Sequence, residues 1–498
     1  MESCIIPARH MPLRRLAADI EKEKSHTSSR EEECMKRRRI QWTSPFASLY
    51  AEIQAEPRTQ RSIFAMLLSN IFGNMHCIIC ASGTTAMIQL ANFLGAGDFE
   101  YGVITGIPLA AAVCQIPFSL MVSRTHRRKR YLLTYGLFSR ALWLLFGLVP
   151  FFIPMQPQWL RLWTVIVLLG ISSVCGSMIN VCWMPWMADL IPISIRGRWM
   201  SRRDAINSVF GVVLGLIVSY ILDTVPGEIR YTIVFGMGGL FGVIDMCCYA
   251  FIQEVYSTPP LRTNLRQSLG RVFHDAPFLR FAIFWAAWCF TANMSGMYIS
   301  RYAMNEMGLT NMEVTIFGTI TASMVTMLVI SQWGKLLDRY GCKPVMLVSG
   351  VVAALTQGFF LFSEYGSVWP MFAHNFLGAA FWCASNLAAT SMQLSYSPDD
   401  QRPAYIAFFS CITSLCGSFA GVLTGGALLD WLESIGVPGN VGFDRYKILI
   451  ACAITLRFTI VVLLVPRMKN DRDATTKAML TDFLRWLRRH FSRQQIYR

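Results

Sequence analysis

Charged side chains are scarce in this chain of 498 residues: Asp, Glu, Lys and Arg make up 15%, against 54% hydrophobic residues. Soluble domains carry about 25% charged residues, so a water-soluble globular protein is excluded and the apolar surplus calls for a lipid solvent. No G-x-x-x-x-G-K-[ST] loop is present, which removes the phosphate cradle of an ATP-driven pump. No short apolar segment follows a basic start and no small-residue cleavage site is seen, so the N-terminus is expected to be retained. Histidines number 7, and only His76 and His374 fall in apolar stretches, far apart. That leaves no cluster of histidines, carboxylates or nucleophile and base for a membrane-embedded enzyme. Nearly all of the 15 cysteines lie in apolar stretches, which argues against a disulfide framework. Cys77 and Cys80 form a C-x-x-C without a second ligand pair, and apolar packing is the better reading.

Long apolar runs are what the sequence does have. Twelve are read as spanning helices, at 63–92, 99–122, 131–153, 160–187, 204–222, 231–253, 279–301, 314–333, 344–363, 370–392, 405–431 and 446–466. Each approaches the ~20 residues a helix needs to cross about 30 Å of hydrocarbon. Net charge is +15, with 45 Lys and Arg. Of these, 38 lie before the first span, in or at the edge of the loops after even-numbered spans, and in the tail; 5 lie on the opposite side and 2 inside spans. By the positive-inside rule both termini are cytoplasmic, and the basic balance needs no nucleic-acid partner.

The chain divides into a charge-rich segment 1–61, six spans over 62–253, a linker 254–278, six spans over 279–466 and a tail 467–498. Segment 1–61 is too polar to form a core. The linker spaces Leu261, Leu265, Leu269 and Val272 as an amphipathic surface helix would, and residues 475–493 combine apolar and basic residues suited to the headgroup layer. The halves repeat: Asn180, Pro192 and Arg196 are matched by Asn386, Pro398 and Arg402, each 206 residues on. Glu100 and Glu313 open the second and eighth spans, where a carboxylate meets the positive end of the helix dipole.

After the eighth span the chain reads WGKLLDRYGCKP, Trp333 to Pro344. This resembles the G-x-x-x-D-R-x-G-R/K signature of the major facilitator superfamily. The first-half counterpart, SLMVSRTHRRKR from Ser119, keeps Arg124 and a basic run but has Ser123 for the aspartate and His126 for the glycine. The resemblance covers about 62–466 and implies an all-α membrane protein, with twelve transmembrane helices in two pseudo-symmetric six-helix bundles. It implies a conformational latch of Gly334, Asp338, Arg339 and Gly341 with Arg124, Arg127, Asp189, Arg196 and Arg402. Asp338 is expected near Ser201 at the start of the fifth span, stabilising the outward-open state. Arg127 is expected to meet Asp189; the second-half equivalents, Cys342 and Ser395, lack both charges.

The family lines its cavity with helices 1, 4, 7 and 10. Here these carry Asn70, Asn74, His76, Asn180, Trp183, Trp288, Asn293, Trp382 and Asn386, the candidate substrate-binding residues. Amides and indoles suit a neutral or zwitterionic hydrophilic solute, although asparagines also join membrane helices and tryptophans pack. His76 is a candidate proton carrier. Arg140 and Asp245 sit at equal depth in the third and sixth spans, at 1.5 Å per residue, so a structural ion pair is expected; Arg457 has no evident partner. Gly211 and Gly215, and Gly417, Gly421, Gly425 and Gly426, have spacings that let helices approach closely.

The resemblance therefore implies a secondary transporter, not an enzyme. Its expected partners are a small-molecule substrate, membrane lipid and either a proton or a sodium ion as coupling ion, with no cofactor and no metal. A monomer in a plasma membrane, bacterial inner membrane by preference, is expected. A solute sensor on the same fold and a drug or metabolite efflux pump are the alternatives; the fifth span lacks the glycine-proline signature of drug:proton antiporters.

Overall fold

The computed structural model describes residues 57–468 apart from 126, 154–156, 192, 255–269, 399–401 and 438–443, together with Met479 and Thr481. The expected surface helices of the linker and tail, most of segment 1–61, and the side chains of Arg124 and Arg402 lie outside the described residues.

All regular structure among the described residues is helical, in twelve long segments. They are α1 (57–93), α2 (98–125), α3 (Arg128–Phe152), α4 (Gln158–Leu190), α5 (Ile193–Thr224), α6 (Ile229–Ala250), α7 (Ala276–Asn305), α8 (311–340), α9 (342–362), α10 (Trp369–Tyr396), α11 (402–434) and α12 (445–467). Ten of them are long and apolar enough to cross a membrane. The other two, α7 with 30 residues and α10 with 28, are long enough but less apolar, because Asn, Ser and Thr interrupt them where they wall a cavity.

Span ends read from hydropathy fall short where a helix leaves the hydrocarbon. The fifth span starts at Ile193 rather than 204, because Arg196, Arg198, Arg202 and Arg203 continue the helix into the aqueous layer. The α1 helix breaks at 81–84: Gly83 takes φ +101°, and Thr84 Oγ1 accepts the Met87 N–H at 3.3 Å to restart it. Two helices carry seven-residue π segments, Val314–Ile320 in α8 and Thr413–Phe419 in α11.

In the first half α6 packs on α1 and α3, and α3 on α4; in the second, α10 packs on α8 and α9, and α7 on α11 and α12. Gly417, Gly421 and Gly425 bring α11 onto the backbone of α7: a Cβ on Gly417 would lie 2.8 Å from the Ala286 carbonyl. We call the end where α1, α3, α5, α7, α9 and α11 begin the basic end, and the other the far end.

Among the described residues, several hydrogen bonds and ion pairs join the halves at the far end. There α2 meets α11, and α5 meets α8. Ser219 and Thr315 share a hydrogen bond at 2.7 Å, and Asn92 Nδ2 donates to Asn305 Oδ1 at 2.7 Å.

Candidate functional site

A cavity of about 720 Å³ lies in the second half between α7, α8, α9, α10 and α12. Its wall carries Asn293, Ser300, Thr326, Thr356, Gln357, His374, Asn375, Trp382, Asn386, Thr390 and Arg457, and no Asp or Glu among the described residues. Asn293 donates to Cys289 O at 2.8 Å and to Ser418 Oγ at 3.2 Å, so α7 is tied to α11 while the amide oxygen stays free of those bonds. A second space of about 480 Å³ lies between the halves, walled by Asn74, Asp204, Asn207 and Ser208 on one side and Ser300, Thr315, Thr319 and Ser323 on the other. Ser300 is on both walls, so the two spaces are neighbours. A third, about 280 Å³, lies within the first half at His76, Arg140, Ser173 and Asn180.

The structure thus brings Asn293, Trp382 and Asn386 together on the second-half cavity, puts Asn74 on the inter-half space, and groups His76 with Asn180 in the first-half space. Asn70 donates to Met66 O of its own helix at 3.0 Å. Trp183 lies under Arg203, whose Cζ is 5.4 Å from its ring centroid. Trp288 is fully buried behind Trp382, ring centroids 5.4 Å apart. These last three line none of the three spaces. His76 Nδ1 is 2.8 Å from the Gly238 carbonyl and its ring stands edge-on to Trp143, which places it at the α1, α3 and α6 contact.

Sequence reasoning missed the polar row of α8, α9 and α10 on the same wall: Thr326, Thr356, Gln357, His374 and Asn375. For His374 and Asn375 the signal was the low apolarity of α10; Thr326, Thr356 and Gln357 lie on the apolar α8 and α9, where single polar residues carried no such signal.

A second missed feature closes the far end. Asp98, 3% exposed, lies 3.3 Å from Arg301 Nε and 3.4 Å from Arg445 Nη2 and accepts from the Tyr446 hydroxyl at 2.8 Å. Arg301 also donates to Ala96 O at 2.7 Å. Asp430, near the end of α11, accepts the backbone N–H groups of Asp98 and Phe99 at 3.2 and 3.3 Å. Asp223, near the end of α5, does the same at the start of α8, accepting from Asn311 N at 3.2 Å and Met312 N at 3.1 Å. Each half thereby places an aspartate on the positive end of a helix in the other.

At the basic end, Gly341 makes the expected tight turn with φ +83°. Asp338 is exposed, with no hydrogen-bond or ion-pair partner among the described residues, Ser201 included. Arg339 lies over Tyr340 at 5.2 Å, Gly334 has open space beside it, and Arg196 caps the end of α4 by donating to Ile191 O at 3.1 Å. The partner of Asp189 is Arg128, at 2.7 Å, and not Arg127, which is exposed at the α3 N-cap. The first-half turn is one residue longer than counting from the motif allows, so pairing shifts by one. Counted from the helix starts, Arg128 corresponds to Cys342 and Lys129 to Lys343; both lysines donate to carbonyls at the end of a helix, Ala250 and Pro466. Arg140 Nη2 lies 3.5 Å from Asp245 Oδ2, and Ser69 donates to Oδ1 at 2.6 Å.

Comparison with known proteins agrees with this architecture. The family model described as Major Facilitator Superfamily matches residues 63–332 and 321–496. The chain belongs to that superfamily and is a multi-pass membrane transporter of unassigned substrate. Among solved structures, the nucleoside transporter NupG matches with a TM-score of 0.62 at 12% identity, over 81% of this chain and 100% of that one. A bacterial homolog of the human lysosomal transporter Spinster, inward-facing and occupied, gives 0.59 at 15%, over 84% and 100%. A D-xylose-proton symporter gives 0.59 at 13%, over 80% and 97%. At these identities the likeness shows the fold. No curated protein matches the chain.

Proposed function

We propose that the chain is a secondary active transporter that moves a small hydrophilic solute by alternating access, with its basic end in the cytoplasm of a plasma membrane. The observation that carries this reading is the contrast between the two ends. The far end is closed by Asp98 with Arg301 and Arg445, while at the basic end Asp338 stands exposed. That is the pattern of one state of a two-state rocker in which one end is locked at a time. On this reading the structure faces the cytoplasm, and Asp338 engages when the far end opens. The amides and indole of Asn293, Asn386 and Trp382 receive the solute. Asp204, the only carboxylate on the walls of the three spaces among the described residues, is the candidate for ion coupling. One chain supplies both halves, so a monomer is the proposed working unit.

Side-specific labelling tests this without knowing the solute. In a cysteine-free background, Thr326→Cys should react with a membrane-impermeant maleimide from either side. An added Asn92→Cys, Asn305→Cys disulfide across the far end should abolish labelling from the far side alone, and reduction should restore it. Labelling from one side only, with or without the disulfide, would count against alternation and favour a sensor that keeps the fold.

A further inference from the structure

Arg457 brings a charge that the protein does not answer. It lies about midway along α12 and is 1% exposed. It donates from Nη2 to Thr291 O at 2.7 Å and from Nε to Thr291 Oγ1 at 3.4 Å, and its Cζ sits 5.6 Å over the Trp288 ring. These partners are all neutral. Nη1 has no partner among the described residues and is not among the buried, unpartnered polar atoms, and Arg457 is one of the residues that line the 720 Å³ cavity. No carboxylate stands on that wall among the described residues. The first half handles its own membrane arginine differently, since Arg140 has Asp245 within 3.5 Å.

An arginine held in a low-dielectric site without a carboxylate is costly, and such residues mark solute pathways when they face a cavity. An entering anion supplies the missing charge, and a carboxylate matches the guanidinium fork. Trp382 shares the wall, 36% exposed. Its ring is 5.4 Å from that of Trp288 and tilted to it by 31°, and the exposed part of the indole is an apolar surface suited to a planar group.

We propose that the second-half cavity binds an organic anion, a carboxylate carried on a flat unsaturated ring, with the carboxylate on Arg457 and the ring on Trp382. This deepens the transport reading and rests on it.

The test is calorimetric titration of the purified full-length protein in detergent at pH 7 with benzoate, 4-hydroxybenzoate and cinnamate, each against its own neutral amide. The carboxylates should bind saturably and the amides at least tenfold more weakly. Arg457→Gln should bring carboxylate affinity down to that of the amide. Trp382→Leu should weaken both members of a pair while keeping their ratio. If Arg457→Gln does not fold, Arg457→Lys decides: it should keep a preference for the carboxylate. Equal affinity of acid and amide, an undiminished preference in Arg457→Gln, or no saturable binding of any carboxylate overturns the proposal. In the last case, a sugar or nucleoside that raises the melting temperature and enters proteoliposomes would leave the transport reading standing while the anion is lost.

Discussion

Asp98 holds the far end through charges that come from the other half, since Arg301 and Arg445 lie more than 200 residues away in the chain. Removing one partner of a buried ion pair costs about 3–5 kcal/mol, and here the cost falls on the closed far end. Asp98→Asn should therefore raise far-side maleimide labelling of Thr326→Cys severalfold, with the protein still folded. Asp245→Asn acts in the opposite manner: it strands Arg140 and Ser69 inside one half, so it should lower the melting temperature and folded yield without shifting the pH profile of uptake. A mutant that folds normally and loses pH-dependent uptake would give Asp245 a coupling role. The contact between Arg140 and Asp245 was legible because helix rise fixes depth; the Asp98 cluster was not, because nothing in the sequence sets the register between halves. A faint signal existed in the exceptions to the positive-inside rule. All five basic residues on the far side are engaged: Arg161 with Glu228, Arg230 with Leu222 O, Arg301 and Arg445 with Asp98, and Lys447 with Ser363 O.

At the scale of elements, Asp223 and Asp430 lie near the C-terminal ends of α5 and α11, where each opposes its own helix dipole. Such a placement announces a partner elsewhere, and in both cases the partner is a helix start in the opposite half. The two aspartates are 207 residues apart, one more than the 206 of the Asn180 and Asn386 repeat. The π segment of α11, which α5 lacks, accommodates the added residue. Asp223→Ala should remove a cap from α8, worth about 0.5–2 kcal/mol, and loosen the far end less than Asp98→Asn does in the same labelling assay. Gly425 had a clear sequence signal in its spacing, and the structure gives its reason: α7 backbone occupies the space a side chain would need. Gly425→Val should cost about 1–3 kcal/mol by overpacking, read as a lower melting temperature. The twelve apolar runs read from the sequence each fall on a helical segment, ten of them apolar enough to cross a membrane, but hydropathy misjudged the start of α5, because it reports where lipid ends and not where backbone hydrogen bonding ends.

For the whole molecule, the proposed alternating-access cycle sets the two ends in competition for one equilibrium, and on that proposal their substitutions should act with opposite sign. Asp338→Ala should favour the far-end-closed state described here, and Asp98→Asn the alternative, with the double substitution between them. Protons enter the same balance through Glu306, in the far-end loop after α7. Burial first, with Asp444, Asp98 and Glu433 adding to it, raises its carboxyl above the usual glutamate range, and Arg445 opposes them. If opening the far end returns Glu306 to water, the closed state binds its proton more tightly than the open one. The resulting preference for closure is complete at pH values below the usual glutamate range and disappears as pH rises through the raised value. Spin labels on Pro226→Cys and Glu364→Cys, in exposed far-end loops of the two halves, should report a growing short-distance population on acidification. Glu306→Gln should flatten that response. An unchanged pH dependence in this variant would move the proton to another far-end carboxylate, with Asp444, whose carboxyl burial also raises, the next to substitute.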